Sequence, residues 1–385
     1  MNHSEFETNN NFQNESTPMH ISELDTPSLL LDLDQMEKNI EEIVSFAKQV
    51  GVNYRPHIKT HKSIEIAKRQ IAMGAVGVTV ATVGEAEVMA EAGINDILIA
   101  FPISGKQKLE RVKELLKKSQ ITIAVDSIEQ ALDLNQFFQD ESLRPNVWIK
   151  VNCGLNRAGV EPDEEVVELA TFMKENTSAL TLTGIFTHAG HAYGASSKGE
   201  IAEIAKDEAD AVVKSVTLCE KAGINIKHRS IGSTPTFKLG GAVEGITEIR
   251  PGNAVFYDMV QVGLGVAKKE QCALTVLAGV FSKKKDRIII DAGSKTLALD
   301  KGAHGIASVV GHGYIKEYPE LIIERLSEEH GVIPIKEEID MKLNEKLTII
   351  PNHACVVANL FDRYVVHRAG KVIAKWKIDA RGKLQ

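Results

Sequence analysis

The sequence predicts an α/β chain in which a (β/α)8 barrel of the TIM type is followed by a mainly β domain. Three observations support this prediction. Short apolar runs alternate with helical stretches from Leu29 onward. Eight strand-like runs fit within about 220 residues, the usual size of such a barrel. No Gly-rich dinucleotide loop follows the first run, which disfavours the alternative, a doubly wound open sheet.

Composition narrows the class of protein. Of the 385 residues, 43% are hydrophobic and 25% charged, as in ordinary soluble globular proteins. The net charge of −7 disfavours a nucleic-acid partner. No apolar run approaches the roughly 20 residues of a membrane span. Residues 1–20 are rich in Asn, Glu, Ser and Thr and predict a disordered lead-in without a secretory signal. Four widely spaced cysteines indicate reduced thiols and a cytoplasmic address.

The barrel is expected over residues 21–262. A helix at 35–50 opens it, with Asp34 as the N-cap and Glu37 in the reciprocal capping position. The predicted strands are Asn53–Lys59, Gly77–Thr82, Asp96–Phe101, Ile121–Asp126, Val147–Asn152, Leu182–His188, Lys227–Ser233 and Thr247–Arg250. The predicted helices between them include Ser63–Met73, Gly84–Ala92, Lys106–Lys117, Ile128–Phe138 and Glu164–Glu175.

The second domain is expected over residues 263–385, where the pattern becomes mainly β. Strands are predicted at Leu274–Phe281, Arg287–Asp291, Lys346–Ile350, Tyr364–His367 and Lys371–Ile378. The last two strands are separated by Arg368-Ala-Gly370, which predicts a β-hairpin.

A barrel enzyme places its chemistry at the carboxyl ends of its strands. The polar residues at or just after those ends are Lys59, His61, Thr82, Asp126, Asn152, Arg157, His188, Tyr193, Ser233, Thr234, Arg250 and Asn253. The set suits an anionic ligand. Lys59 lies in Arg55-Pro-His-Ile-Lys-Thr-His-Lys62, which is either a basic surface turn or a site where burial lowers the pKa of an amine, as a Schiff-base lysine requires.

Two further segments carry candidate site residues. Ile231-Gly-Ser-Thr-Pro-Thr236 offers backbone N–H groups and hydroxyls where a strand turns into a helix, which is suited to a phosphate group, although Ser/Thr caps are common. In Ile349-Ile-Pro-Asn-His-Ala-Cys-Val356, an extended backbone would point His353 and Cys355 the same way, so that both could hold one ion. The alternative is a buried histidine beside an inert cysteine. Two ligands are too few for a closed structural zinc site and indicate an open one.

These motifs, with Asp291-Ala-Gly-Ser-Lys295, resemble the D-threonine aldolase and D-serine dehydratase family of fold type III pyridoxal-phosphate (PLP) enzymes. The resemblance implies a PLP-binding barrel, a β domain with the metal ligands, and a homodimer. It implies that Lys59 is the catalytic, PLP-bearing residue and that Gly232, Ser233 and Thr234 bind the phosphate. Arg157 and Tyr193 would be further cofactor contacts, and His353 and Cys355 would be the metal ligands.

Within that family, a cysteine at the second metal-ligand position resembles the dehydratases and a carboxylate the aldolases. The resemblance therefore implies D-serine dehydratase chemistry, which yields a 2-oxo acid and ammonia from a D-3-hydroxy amino acid. The alternative is a D-threonine aldolase, which yields glycine and an aldehyde. A histidine and a thiolate favour Zn²⁺ over Mn²⁺ or Mg²⁺. More distant alternatives are an amino-acid racemase, for which no second acid–base motif is found, and a non-catalytic PLP carrier.

Overall fold

A computed structural model describes residues 19–302 and 309–385. Of the predicted lead-in, residues 1–20, positions 1–18 therefore lie outside the described residues. After a 3-10 turn (Ile21–Glu23) come strand β1 (Ser28–Asp32) and helix α1 (Leu33–Val50). The helix begins earlier than predicted because Asp32, not Asp34, is the N-cap: its carboxylate accepts a hydrogen bond from the Gln35 backbone N–H at 3.1 Å.

Eight parallel strands form the barrel, in chain order around the ring. They are β2 (Asn53–Tyr54), β3 (Val78–Val80), β4 (Asp96–Pro102), β5 (Gln120–Val125), β6 (Asn146–Lys150), β7 (Thr181–Phe186), β8 (His228–Ile231) and β9 (Glu248–Ile249). The last strand, β9, pairs with β2, and the Thr79 N–H donates to the Pro56 carbonyl at 2.8 Å between β3 and the end of β2. The predicted (β/α)8 barrel is confirmed, and the doubly wound sheet is excluded.

Helices follow the strands around the barrel. They are α2 (Ile64–Met73), α3 (Val83–Glu91), α4 (Lys106–Leu116), α5 (Ile128–Phe138), α6 (Glu164–Asn176), α7 (Lys198–Lys221), α8 (Phe237–Gly241) and α9 (Met259–Gly263). Shorter 3-10 turns span Ile58–Thr60, Gly190–Gly194, Asn253–Val255 and Lys269–Gln271. Each helix that the sequence predicted between the strands is present, with its ends displaced by no more than a residue.

The first barrel strand is shorter than predicted. Pro56 has no N–H to donate to a ladder, and Ile58–Thr60 form a 3-10 turn instead of continuing the strand to Lys59. The His57 imidazole accepts a hydrogen bond from the Lys59 N–H at 3.4 Å, and the N–H groups of His61 and Lys62 both donate to the Ile58 carbonyl. Lys59 therefore lies on a turn held by its own neighbours.

The second sheet is mainly antiparallel. It contains β10 (Leu274–Lys283), β11 (Arg287–Ile290), β12 (Tyr314–Ile315), β13 (Arg325–Leu326), β14 (Gly331–Pro334), β15 (Lys346–Ile350), β16 (Arg363–Arg368) and β17 (Lys371–Lys377), with short helices α10 (Ser294–Leu297) and α11 (Ala354–Ala358). The hairpin of β16 and β17 is confirmed, and Ala369 and Gly370 at its tip have φ of 46° and 79°. The strands β12 to β14 were not predicted because they are only two to four residues long.

Strand β1 belongs to the second sheet, although the predicted barrel range of 21–262 includes it. It pairs antiparallel with β10 and parallel with β16. Three consecutive leucines, Leu29 to Leu31, are all buried there, so the strand is covered on both faces. The chain therefore begins in the second sheet, runs through the barrel and returns.

The second domain packs directly on the turn that carries Lys59. The Tyr364 hydroxyl donates to the His61 carbonyl at 2.7 Å, and the Ala380 N–H donates to the Lys62 carbonyl at 2.9 Å. The Asp379 carboxylate accepts from the Ile64 N–H at the start of α2. In the described parts of the chain, no helix is long and apolar enough to cross a membrane.

Candidate active site

A cavity of about 230 Å³ opens at the carboxyl ends of the barrel strands, where they face α11. It brings together residues that are far apart in the chain. Its walls include the predicted site residues Lys59, Tyr193, Ser233, Thr234, His353 and Cys355, and also His57, Thr60, His188, Arg250, Gly252 and Asn253. Lysine, hydroxyls and a histidine–cysteine pair therefore share one space.

Lys59 lines this cavity from the turn after β2. Burial lowers the pKa of its amine, the neighbouring Cys355 thiol acts in the opposite direction, and the positive charge of Arg157 lowers the pKa further. The Lys59 amine therefore becomes neutral at a lower pH than a lysine in water does. The motif's other lysine, Lys62, points elsewhere and forms a buried ion pair with Glu85 at 2.6 Å.

The turn Gly232-Ser233-Thr234 follows β8. Its hydroxyls are buried: the Ser233 hydroxyl lies 2.8 Å from that of Thr236, and the Thr234 hydroxyl accepts from the Ala254 N–H at 3.2 Å. A Cβ at Gly232 would lie 3.2 Å from the Arg250 side chain, so the close approach of Arg250 favours glycine here. Gly232 itself does not line the cavity.

Tyr193 and Arg157 lie in different surroundings. The Tyr193 side chain is buried against the cavity, and burial raises the pKa of its phenol. Arg157 is exposed on the loop after β6 and does not line the main cavity. It borders a smaller space with Lys150 and His188, and His188 also lines the main cavity. The structure therefore places Tyr193 with the predicted site and Arg157 at its edge.

His353 and Cys355 do not lie on the extended segment that the sequence predicted. His353 is the N-cap of α11, and Cys355 is in the first turn of that helix. Both side chains still reach the cavity, and they hydrogen-bond to each other. Burial would raise the pKa of the Cys355 thiol, but His353, the Thr60 hydroxyl and Lys59 together lower that pKa. The neighbouring imidazole therefore stabilises the thiolate form of Cys355 relative to a thiol buried alone.

Two carboxylates, those of Asp258 and Asp300, contact the segment that carries His353 and Cys355. The buried Asp258 accepts from the N–H of Ala354, the residue between the pair, at 2.9 Å, and from the Asn253 amide at 2.6 Å. Asp300 lies 3.2 Å from Nδ1 of His353. A carboxylate on one imidazole nitrogen orients the other nitrogen, a common arrangement around metal-binding histidines. Within residues 19–302 and 309–385, no group of three or more His, Cys, Asp or Glu side chains could hold a metal ion.

Sequence reasoning found some of these residues and missed others. Arg250 and Asn253 were among the strand-end residues that the sequence predicted, and both line the cavity. Asp258 and Asp300 carry no local signal, because their contacts with α11 are long-range. Some strand-end residues face away from the cavity: the His61 ring contacts Gln70 at 3.1 Å, Thr82 caps α3, and Asp126 accepts from the Gly159 N–H.

The residues present fit an anionic cofactor such as PLP. The pKa of the His57 imidazole lies well below its ordinary value, because of burial and then the positive charges of Lys59, Arg250 and Lys150. Such a concentration of positive charge favours a bound anion. In the described part of the chain, the buried amide oxygen of Asn253 has no hydrogen-bond partner. The cavity therefore supplies a reactive amine, hydroxyls and positive charge.

The fold and the cavity together define an enzyme with an alanine-racemase-type barrel and a β domain. Residues 31–260 match the family model "Alanine racemase, N-terminal domain", and residues 273–367 match "Putative serine dehydratase domain". The chain belongs to the D-threonine aldolase and D-serine dehydratase family of lyases. PLP is the cofactor expected for this fold family.

Relatives and solved structures agree with this assignment. The chain is 31% identical to D-threo-3-hydroxyaspartate dehydratase of Delftia sp. (strain HT23), over 92% of this chain and 97% of that one. It is 30% identical to D-threonine aldolase of Arthrobacter sp., over 94% of each chain. The crystal structure of D-threonine aldolase from Filomicrobium marinum superposes with a TM-score of 0.88 at 31% identity, covering 96% of this chain and 99% of that one.

Proposed function

We propose that this chain is a PLP- and divalent-metal-dependent lyase of D-3-hydroxy amino acids, of the D-serine dehydratase type. The observation that supports this most is the single cavity shared by Lys59, His353 and Cys355. Within it, the Thr60 hydroxyl lies 3.1 Å from the Cys355 sulfur, so the turn that carries Lys59 is in direct contact with helix α11. A base at Lys59 and a Lewis acid at His353 and Cys355 would thereby be available to one small substrate.

The barrel residues would hold the cofactor. Lys59 would bond covalently to its aldehyde, and the turn Gly232, Ser233 and Thr234 would take its phosphate. Tyr193 borders the same space, and Arg157 would reach it from the adjoining loop. When bound, PLP supplies an electron sink that stabilises negative charge at the substrate Cα.

Lys59 would also act as the base that removes the Cα proton once the substrate has displaced it. This role requires an amine that is neutral near pH 7, and burial lowers the pKa of Lys59 in that direction. Its place on a turn held by His57 and Ile58 would keep the free amine near the cofactor.

His353 and Cys355 would hold the divalent ion, with Asp300 orienting the imidazole. Such an ion supplies Lewis acidity next to the hydroxyl group that leaves the substrate. An imidazole and a thiolate favour Zn²⁺, with Mn²⁺ or Mg²⁺ as the alternatives. A mutant of D-threo-3-hydroxyaspartate dehydratase has been described in a metal-free form, which supports a metal in that relative.

The aldolase is the second candidate because relatives of both activities align at similar identity, 31% for the hydroxyaspartate dehydratase and 30% for the D-threonine aldolase. Cys355 favours the dehydratase, since the family's aldolases typically carry a carboxylate at the second ligand position. In the dehydratase, the Cβ–O bond breaks and the products are a 2-oxo acid and ammonia. In the aldolase, the Cα–Cβ bond breaks.

Product identification tests the proposal. The holoenzyme is incubated separately with D-serine, D-threonine and D-3-hydroxyaspartate, and 2-oxo acids, ammonia, glycine and aldehydes are quantified. Ammonia and 2-oxo acid in equal amounts support the dehydratase. Glycine and aldehyde support the aldolase. Racemised substrate without either product pair would support the racemase, and the absence of any reaction would support the PLP carrier. Lyase activity untouched by EDTA would contradict the metal role.

We also expect the homodimer that the family resemblance implies. Sedimentation equilibrium of the holoprotein would give twice the chain mass of 42.1 kDa. A monomer over the micromolar range would contradict this expectation.

A further inference from the structure

Glu208 is a buried carboxylate behind the proposed phosphate turn. It lies on α7 with no exposed surface. Its Oε1 accepts hydrogen bonds from the Thr187 hydroxyl at 3.1 Å, the Ala189 N–H at 3.0 Å and the Gly232 N–H at 3.1 Å. Its Oε2 accepts from the Thr236 hydroxyl at 2.8 Å. Four donors around two oxygens stabilise the ionised form, against the burial that raises the pKa of this carboxyl.

A chain of hydroxyls connects this carboxylate to the cavity. Thr236 lies between Glu208 and Ser233, and its hydroxyl oxygen is 2.8 Å from each. A hydroxyl has one proton to donate. While Thr236 donates to the Glu208 carboxylate, Ser233 must donate to Thr236. Ser233 lines the cavity, and its hydroxyl oxygen then has only lone pairs to offer a ligand.

A Ser233 oxygen that can only accept a hydrogen bond is unfavourable beside a phosphate dianion, whose oxygens are all acceptors. A protonated Glu208 would reverse this arrangement: Oε2–H would donate to Thr236, Thr236 to Ser233, and Ser233 to a phosphate oxygen. The three donors at Oε1 are undisturbed by this change, because a protonated carboxyl still accepts at its other oxygen.

We propose that Glu208 takes up one proton when the phosphate of the cofactor binds, and thereby converts Ser233 from a hydrogen-bond acceptor into a donor. The inference rests on the proposed function, in which Gly232, Ser233 and Thr234 bind that phosphate. The proton comes from solvent: the carboxylate becomes a carboxylic acid, and two O–H bonds of the chain reorient without any other bond being made or broken. Glu208 is a positioning residue, since it acts through Thr236 and Ser233.

The charged surroundings of Glu208 are consistent with this uptake. Burial raises the pKa of its carboxyl, while the hydrogen bond from Thr236 and the charge of Arg250 act in the opposite direction. The charged and titratable groups that interact with it are Arg250 after β9 and Cys153 after β6. His188 after β7 contacts the Gly232 carbonyl at 2.8 Å, next to the N–H that donates to Glu208. A phosphate dianion adds negative charge at the same turn and moves the carboxyl further towards its neutral form.

The test uses the full-length apoprotein and a ligand that cannot bond to Lys59, pyridoxine 5′-phosphate, with pyridoxine as the ligand without phosphate. Affinities are measured between about pH 7 and 9, where the ligand's phosphate, with its second pKa near 6, is a dianion. Calorimetry in two buffers of different ionisation enthalpy counts the protons taken up.

For the wild type, we expect uptake of about one proton with pyridoxine 5′-phosphate but not with pyridoxine, and an affinity that falls up to about tenfold per pH unit. Glu208→Gln places an amide donor permanently against Thr236. It should bind pyridoxine 5′-phosphate at least as tightly as the wild type at pH 7, with no pH dependence. Glu203→Gln, at an exposed position of the same helix, should behave like the wild type.

Thr236→Val provides a second test if Glu208→Gln does not fold. It removes the middle hydroxyl and should abolish the proton uptake while Glu208 is retained. Absence of proton uptake by the wild type, or a Glu208→Gln protein with the wild-type pH dependence, would overturn the inference while leaving PLP binding intact. If the wild type bound neither PLP nor pyridoxine 5′-phosphate, the proposed cofactor would be wrong and the inference would be overturned with it.

Discussion

The Thr60 hydroxyl lies 3.1 Å from the Cys355 sulfur, which joins the turn after the first barrel strand to the helix α11 of the second domain. The two residues are 295 positions apart in the chain. Lys59 precedes Thr60, and His353 lies at the start of the same helix. The contact therefore sets the position of the proposed base relative to the proposed metal ligands.

Lys59→Ala is expected to lose covalently bound PLP. Turnover should fall by about 10²–10⁴-fold or more, the contribution typical of a general base. Borohydride reduction of the wild-type holoprotein followed by peptide mass analysis should locate the cofactor on Lys59. Lys68→Ala, at an exposed position of α2, is the matched control and should retain the cofactor and the activity. A yellow, active Lys59→Ala protein would disprove the assignment. Lys62 is unsuitable as a control because its removal would leave the buried Glu85 unpaired.

Chelation by EDTA is expected to abolish lyase activity while PLP stays bound, with Zn²⁺ restoring activity best. Cys355→Ala should weaken metal affinity by about 10–100-fold and lower turnover. Cys219→Ala, which removes a buried thiol of α7, should leave metal affinity unchanged. Metal content by mass spectrometry and activity titrations measure these effects. Full activity in a metal-free protein would rule out the metal role.

Cys355→Asp is expected to retain an ion but to prefer Mn²⁺, because a carboxylate is a harder ligand than a thiolate. If the second ligand decides between the two reactions, its products should shift from 2-oxo acid and ammonia towards glycine and aldehyde. Chromatographic product ratios with D-threonine as substrate measure the shift. An unchanged ratio would show that residues other than the one at position 355 decide which substrate bond breaks.

Asp300→Asn is expected to weaken metal affinity by about tenfold, since a carboxylate on the second imidazole nitrogen orients a histidine ligand and makes it more basic. The present geometry is 3.2 Å between Oδ2 of Asp300 and Nδ1 of His353. Competition with a chromogenic chelator measures the affinity. Asp286→Asn, at an exposed position paired with Arg287, is the matched control. Equal affinities of both variants would indicate that Asp300 does not support the metal site.

Activity is expected on D-3-hydroxy amino acids and at least about 100-fold lower on their L forms, because misplacing a reacting group by about 1 Å costs that much. Lys59 and the His353–Cys355 pair occupy fixed parts of one cavity. Only one enantiomer can direct its Cα–H to the amine and its hydroxyl to the ion. Chiral chromatography of the remaining substrate measures the preference. Comparable rates on both forms would contradict the proposed arrangement.

Arg55→Ala is expected to lower the free energy of unfolding by about 3–5 kcal/mol, the cost of leaving a buried charge without its partner. Arg55 is buried and pairs with Glu248, which has no exposed side-chain surface, at 3.1 Å, and with Asp96 at 2.7 Å. Denaturant unfolding measures the loss. Lys117→Ala removes an exposed partner of Glu114 and should unfold like the wild type. A small effect of Arg55→Ala would mean that water reaches Glu248.

The arrangement of barrel elements could be predicted because its signals are local. Apolar runs such as that before Asp126 mark strands, and a capping residue such as Ser127, whose hydroxyl accepts from the Gln130 N–H, marks a helix start. The predicted strand to Lys59 was too long because a proline and a 3-10 turn ended it early. The prediction of an extended segment through Cys355 was wrong because a short helix begins after His353, where the Ala354 N–H donates to the Asp258 carboxylate.

The sequence by itself determined the order of strands and helices, the family, and the candidate residues Lys59, Ser233, His353 and Cys355, because each of these depends on residues close together in the chain. The tertiary structure alone decided that β1 belongs to the second sheet, that Asp258 and Asp300 support α11, and that Glu208 lies behind the phosphate turn. These contacts join segments from about twenty to more than two hundred positions apart. They form only when the packed strands bring buried polar groups together, because such groups are stable only when they find a hydrogen-bond partner.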